Sequence, residues 1–127
     1  MESDRSLVDS LTAGMLNQKL YVMLRRTVRA ELLNEELVAL HLKWMIAQER
    51  EGVIFASGPF IVRGRPRGAG GGMTVLRATD EQEAIAIGDT DPFVAAGAVE
   101  YELLTWMLME GGLRLTLNYS TGKFELG

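Results

Sequence analysis

The chain has 127 residues, of which 47% are apolar, and a formal net charge of −4. That length and apolar content suit one hydrophobic core rather than two, and the acidic balance disfavours nucleic-acid binding dominated by phosphate contacts. With no cysteine and a single histidine, disulfides, thiolate metal sites and His-rich metal clusters are excluded.

The opening residues Met1-Glu2-Ser3-Asp4-Arg5 are polar and mixed in charge, unlike the basic start and apolar run of a leader. No stretch reaches membrane-spanning length, so a cytoplasmic protein is expected. Leu7, Val8, Leu11, Met15 and Leu16 recur at helical spacing after serine and aspartate positions suited to capping, which predicts a short N-terminal helix over 1–17. Lys19 to Arg26 is rich in strand formers at its centre and ends in charges, which predicts a buried first strand. From 34 to 51, Leu37, Leu40, Trp44 and Ala47 extend a stripe begun at Leu33. Asn34 is the expected N-cap, Glu35 and Glu36 face the positive end of the dipole, and Gly52 suits the left-handed stop.

Val53 to Ser57 predicts a second strand stopped by Gly58-Pro59. A loop from Arg63 to Gly71, rich in glycine and carrying three arginines, leads to a third strand at Met73–Arg77, an antiparallel neighbour of the second. Thr79 and Gln82 have capping-box spacing for a second long helix ending near Gly88. Asp91-Pro92 predicts a single helical turn stopped by Gly97. Residues 98–107 alternate as a fourth strand, with Val99, Tyr101, Leu103 and Thr105 on one side. A terminal hairpin follows, with Leu113, Leu115, Leu117 and Tyr119 in one arm, a Ser120-Thr121-Gly122 turn, and Lys123 to Leu126 in the other.

Between 19 and 107 the order is β-α-β-β-α-β, an α+β ferredoxin-like arrangement with a four-stranded antiparallel sheet. The N-terminal helix (1–18) and C-terminal hairpin (108–127) add to this core in what is expected to be a single domain of residues 1–127. Two helices cover one sheet face, and the bare face predicts a homodimer.

His41, four residues after Leu37 and three before Trp44, falls at the edge of the helical stripe. Burial lowers a histidine pKa and a nearby carboxylate raises it, so a His/Asp pair can be set for proton transfer, with Asp91 the natural carboxylate. The alternative from the residues alone is a satisfied core or interface histidine and an aspartate that only caps a helical turn. Ser57, at the strand end, can donate to a substrate oxygen, but nothing in the sequence supplies what a serine nucleophile needs. Arg63, Arg65 and Arg67 can clamp a planar anion or form a solvated loop tip. Phe93, two residues after Asp91, can line a pocket mouth, while the other aromatics and the methionines read as packing. Arg63-Gly64-Arg65-Pro66-Arg67-Gly68 has the look of an AT-hook, but the acidic whole and its place between two strands argue against nucleic acid as partner. Gly68 to Gly72 lacks the Gly-Lys-Ser/Thr ending of a P-loop.

A histidine midway along the first core helix, Ala56-Ser57-Gly58-Pro59-Phe60 closing the second strand, and Asp91-Pro92-Phe93-Val94-Ala95-Ala96-Gly97 before the last together resemble the YCII-related (YciI-like) family over about 19–107. The resemblance implies a dimeric ferredoxin-like α/β fold, His41 and Asp91 as the active-site pair, and Gly58 and Pro59 as pocket wall. Members with known reactions include a dehydrochlorinase of chlorinated hydroxyhydroquinone degradation, which implies isomerase, lyase or hydrolase chemistry. The expected substrate is a small oxygenated cyclic or aromatic-derived metabolite, with no metal or organic cofactor demanded. A non-catalytic metabolite-binding or accessory protein of the same fold is the alternative. The segments before 18 and after 107 depart from the family pattern.

Overall fold

The computed structural model describes the backbone of residues 2–127 and the side chains of residues 6–127. The chain forms two compact units, one of residues 19–107 and one of residues 1–18 with 108–127. No helix among the described residues is long and apolar enough to cross a membrane.

The larger unit is α+β. Its strands β1 (Gln18–Thr27), β2 (Ile54–Pro59), β3 (Gly72–Leu76) and β4 (Val99–Leu108) form a four-stranded antiparallel sheet in the order β2-β3-β1-β4. β3 pairs with both β1 and β2, so Tyr21, Met23 and Arg25 of β1 stand opposite Leu76, Thr74 and Gly72. Because side chains alternate along a strand, these six residues share one face. Tyr21, Met23 and Leu76 are buried there with Ala84 of a helix, and Ile54, Ile87, Tyr101 and Leu103 pack around them. The inward residues of β4 are Val99, Tyr101 and Leu103, but Thr105, expected to continue this row, is exposed.

Helix α2 (Glu35–Arg50) begins where the Asn34 side chain accepts from the Leu37 N–H at 2.9 Å. It closes at Gly52 (φ 79), where the Gly52 and Val53 amides donate to the carbonyls of Glu49 and Gln48, a left-handed stop of the Schellman type. The inward face differs from the expected stripe. Leu40 and Ala47 are exposed, whereas Leu37, Val38, Trp44, Met45 and Gln48 are half-buried around His41, the one buried residue of the helix. His41 therefore lies at the centre of the inward face and not at its edge.

β2 also differs, continuing through Gly58 and Pro59 to pair with Met73 and Gly72. Proline is tolerated because β2 is an edge strand and its missing N–H interrupts no ladder. Helix α3 (Glu81–Gly88) is capped one residue later than expected: Asp80 accepts from the Glu83 N–H, and Glu83 rather than Gln82 reaches back to Thr79. The turn α4 (Pro92–Ala95) follows, with proline at its first position and Gly97 at φ 78 beyond it.

In the smaller unit, α1 (Glu2–Thr12) is shorter than expected, and Asn17, at φ 51, donates its side-chain amide to the Thr12 carbonyl. The positions expected to cap it, Ser3 and Asp4, lie outside the described side chains. The hairpin of β5 (Leu115–Asn118) and β6 (Lys123–Leu126) pairs Leu115 with Leu126 and Leu117 with Phe124, giving it one apolar face.

Candidate active site

The site is built where the middle of α2 meets the start of α4. Aspartate before proline is driven to extended backbone, and Asp91 has φ −58 and ψ 124. Its side chain turns back to accept from the Phe93 N–H at 3.0 Å and meets His41 Nδ1 at 2.7 Å, both through Oδ1. Asp91 is fully buried and His41 is 6% exposed. A carboxylate oxygen has no proton to give, so Nδ1 donates in this bond, and in the neutral imidazole that tautomer puts the lone pair on Nε2. The Phe93 ring stacks on the imidazole at 3.8 Å between centroids and 5° between planes. Asp91 thus fixes the ring's edge and Phe93 its face, both from one turn. Trp44 stands further off at 6.5 Å, its indole N–H bonded to Thr90 Oγ1 at 2.9 Å.

His41 lines a cavity of about 700 Å³ between α2, the β2 edge and the loop before β3, a size suited to a small ring compound. Among the described residues Asp91 Oδ2 and Arg25 Nε are buried without a hydrogen-bond partner, and the imidazole of His41 has no hydrogen bond besides that of Nδ1.

Ser57, Gly58, Pro59 and Phe93 line the same cavity as His41. Ser57 Oγ is 2.9 Å from Thr74 Oγ1, an exchange of hydroxyls without the histidine bond that a nucleophilic serine requires. Asp91 stands behind His41, away from the lining. The loop arginines divide: Arg67 lines the cavity, whereas Arg63 and Arg65 do not. The reason is local. Thr27 Oγ1 donates to the Gly68 carbonyl at 2.8 Å and draws the end of the loop inward, while Arg65 closes a turn onto Val62 at the exposed tip. No three metal-ligating side chains converge among the described residues.

One residue was missed by sequence reasoning. Arg25, near the end of β1, is 7% exposed and lines the cavity. Burial pulls its pKa below the ordinary arginine value, and the nearby Asp91 charge opposes that shift. The available signal was its alternation with Tyr21 and Met23, which puts it on the helix-covered face.

The YCII-related domain profile matches residues 19–107. This chain belongs to the YCII-related family. The uncharacterized protein YjpA of Bacillus subtilis (strain 168) is 35% identical over 89 residues, spanning 70% of this chain and 98% of YjpA. Among solved structures, 5-chloro-2-hydroxyhydroquinone dehydrochlorinase (TftG) from Burkholderia phenoliruptrix AC1100, in complex with 2,5-dihydroxybenzoquinone, superposes with a TM-score of 0.56. It covers 70% of this chain and 93% of TftG at 17% identity, a likeness of fold. The YCII-related match stops short of both α1 and the terminal hairpin.

Proposed function

We propose that this YCII-related protein is a small-molecule enzyme in which His41 transfers protons and Asp91 orients and charges it. The observation that carries this reading is the 2.7 Å bond between His41 Nδ1 and Asp91 Oδ1 in a histidine that lines the cavity, an arrangement that offers Nε2 for proton transfer. Nε2 takes a proton from a carbon next to a carbonyl, and the released electron pair moves onto the carbonyl oxygen as an enolate. The imidazolium so formed is held against a buried carboxylate, which favours it electrostatically. Returning the proton to another carbon completes an isomerisation. Collapse of the enolate with expulsion of an anion from the adjacent carbon completes an elimination, after which His41 gives its proton to water. The dehydrochlorinase named among the structures of this fold performs a reaction in the second class, and the substrate here is a small oxygenated ring compound.

The test incubates lactones and hydroxyquinones with the protein in D2O and follows their C–H signals by NMR. The wild type is expected to catalyse exchange or turnover, and His41→Gln to lose about 100-fold or more of it. Compounds that bind without exchange, or a His41→Gln variant as fast as wild type, would overturn the catalytic role.

The homodimer expected from the sheet topology is part of the same reading, supported by Leu104 and Trp106 exposed on β4. Sedimentation at micromolar concentration should give a dimer; a monomer would remove it.

A further inference from the structure

We propose that Arg25 is an anion seat in the His41 cavity, so that the substrate is a compact carboxylate or oxyanion with its charged oxygens on the guanidinium and its labile proton towards His41. A guanidinium carries five N–H donors, yet Arg25 makes one hydrogen bond among the described residues, from Nη2 to the Gly58 carbonyl at 3.5 Å, the outer limit of such a contact. Its Nε is buried and has no partner among the described residues. Its side chain forms no ion pair within 4.0 Å among the described residues, although Asp91 is close enough to act on it electrostatically. A buried charge without a partner is destabilising, and it lies on the wall of a cavity open to ligand.

The surroundings are also shaped for this side chain. Gly72 stands directly opposite Arg25 in the β1/β3 register. A Cβ at Gly72 would come within 2.6 Å of Arg25 Nη2 and within 2.6 Å of the Gly58 carbonyl oxygen. The missing side chain is therefore what lets the guanidinium sit beside β2. Arg25, Ser57 and His41 face the same cavity, so an anion can engage the planar donor fork while its neighbouring carbon faces Nε2. The Asp91 charge is already committed to His41 and Phe93, and of the two arginines on the cavity wall Arg25 is the buried one while Arg67 is exposed to water, so Arg25 is the cation that gains most from a ligand.

The inference rests on the His41 reading for the direction of the substrate's proton, but anion binding itself needs no turnover. Because the chain has one histidine, the imidazole NMR signals report on this site alone. Titrations with benzoate, 2,5-dihydroxybenzoquinone and neutral benzamide provide the comparison. Both anions are expected to shift the His41 signals, with benzoate binding at least about tenfold more tightly than benzamide. Arg25→Met should lose that preference, and Arg25→Lys should keep part of it. Arg25→Met should also melt no lower than wild type, since it replaces an unpaired buried charge with an apolar chain. Equal affinity for benzoate and benzamide in the wild type, or an anion preference unchanged in Arg25→Met, would overturn the proposal. So would a lower melting temperature in Arg25→Met with anion preference retained, the signature of a purely structural counter-charge. Should Arg25→Met fail to fold, an anion preference in Arg25→Lys equal to wild type, with bidentate geometry lost, also counts against the seat. Anion preference without proton exchange in any ligand defeats the catalytic reading alone; exchange without anion preference defeats this inference alone.

Discussion

Replacing Asp91 with alanine removes one oxygen that serves two buried N–H groups, and the cost can be worked from the geometry. His41 Nδ1 at 2.7 Å and the Phe93 amide at 3.0 Å both lose their acceptor. A buried donor left unpaired costs about 1–3 kcal/mol, and the loss of a helix cap alone costs about 1 kcal/mol. Removing a carboxylate whose Oδ2 has no partner offsets part of this, so the net destabilisation is expected to be about 2–4 kcal/mol. With a urea slope of about 2 kcal/mol per molar, the middle of the usual range, the unfolding midpoint should fall by about 1–2 M. A double-mutant cycle with His41→Phe isolates the shared bond and should give a coupling of about 1–3 kcal/mol. A single-mutant loss below about 0.5 kcal/mol, the level of an ordinary surface change, would refute the reasoning, since Asp91 would then hold neither the turn nor the imidazole.

Gly72→Ala should cost about 1–3 kcal/mol by overpacking against Arg25 and Gly58, read as a fall in the urea midpoint. Gly71→Ala should cost more, because Gly71 has φ 77 and its Cβ would run into the backbone carbonyl of Arg25; equal losses would count against this account of the cradle. Burial, together with a 2.8 Å hydrogen bond donated to Asp89, pushes the Tyr101 phenol above the ordinary tyrosine pKa. The folded state then holds this proton more tightly than the unfolded chain does, so its contribution is present below about pH 10 and is lost as pH rises further. Tyr101→Phe should therefore leave the phenolate absorbance step near pH 10 unchanged, and a smaller step would contradict the assignment.

The parts of the fold that could be read in the sequence are those fixed by local chemistry. Asn34 and Gly52 bound α2 because a side-chain acceptor and a left-handed stop act within a few residues, and Asp91-Pro92 announces α4 for the same reason. The β-α-β-β-α-β succession and the antiparallel pairing of β2 with β3 were legible from the order of elements and the loop between them. Tertiary features were less visible. His41 reads as a stripe-edge residue because Leu40 suggests an inward position, yet Leu40 is exposed and the imidazole takes the centre. Pro59 reads as a strand stop until β2 is known to be an edge. Arg63 and Arg65 cannot be told from Arg67 without the Thr27–Gly68 bond that folds the loop inward. Arg25 looks like one of the charges ending a strand; alternation with Tyr21 and Met23 puts it on the covered face, but the room for a buried guanidinium comes from Gly72 opposite it on another strand.

The central claim is that Asp91 holds the His41 proton on Nδ1 and leaves Nε2 bare towards the cavity. Nitrogen-15 NMR of the neutral imidazole measures this directly, and one histidine means one pair of signals. The account predicts Nδ1 protonated and Nε2 unprotonated in the wild type, with that tautomer losing its dominance in Asp91→Asn. A wild-type imidazole carrying its proton on Nε2 would contradict it.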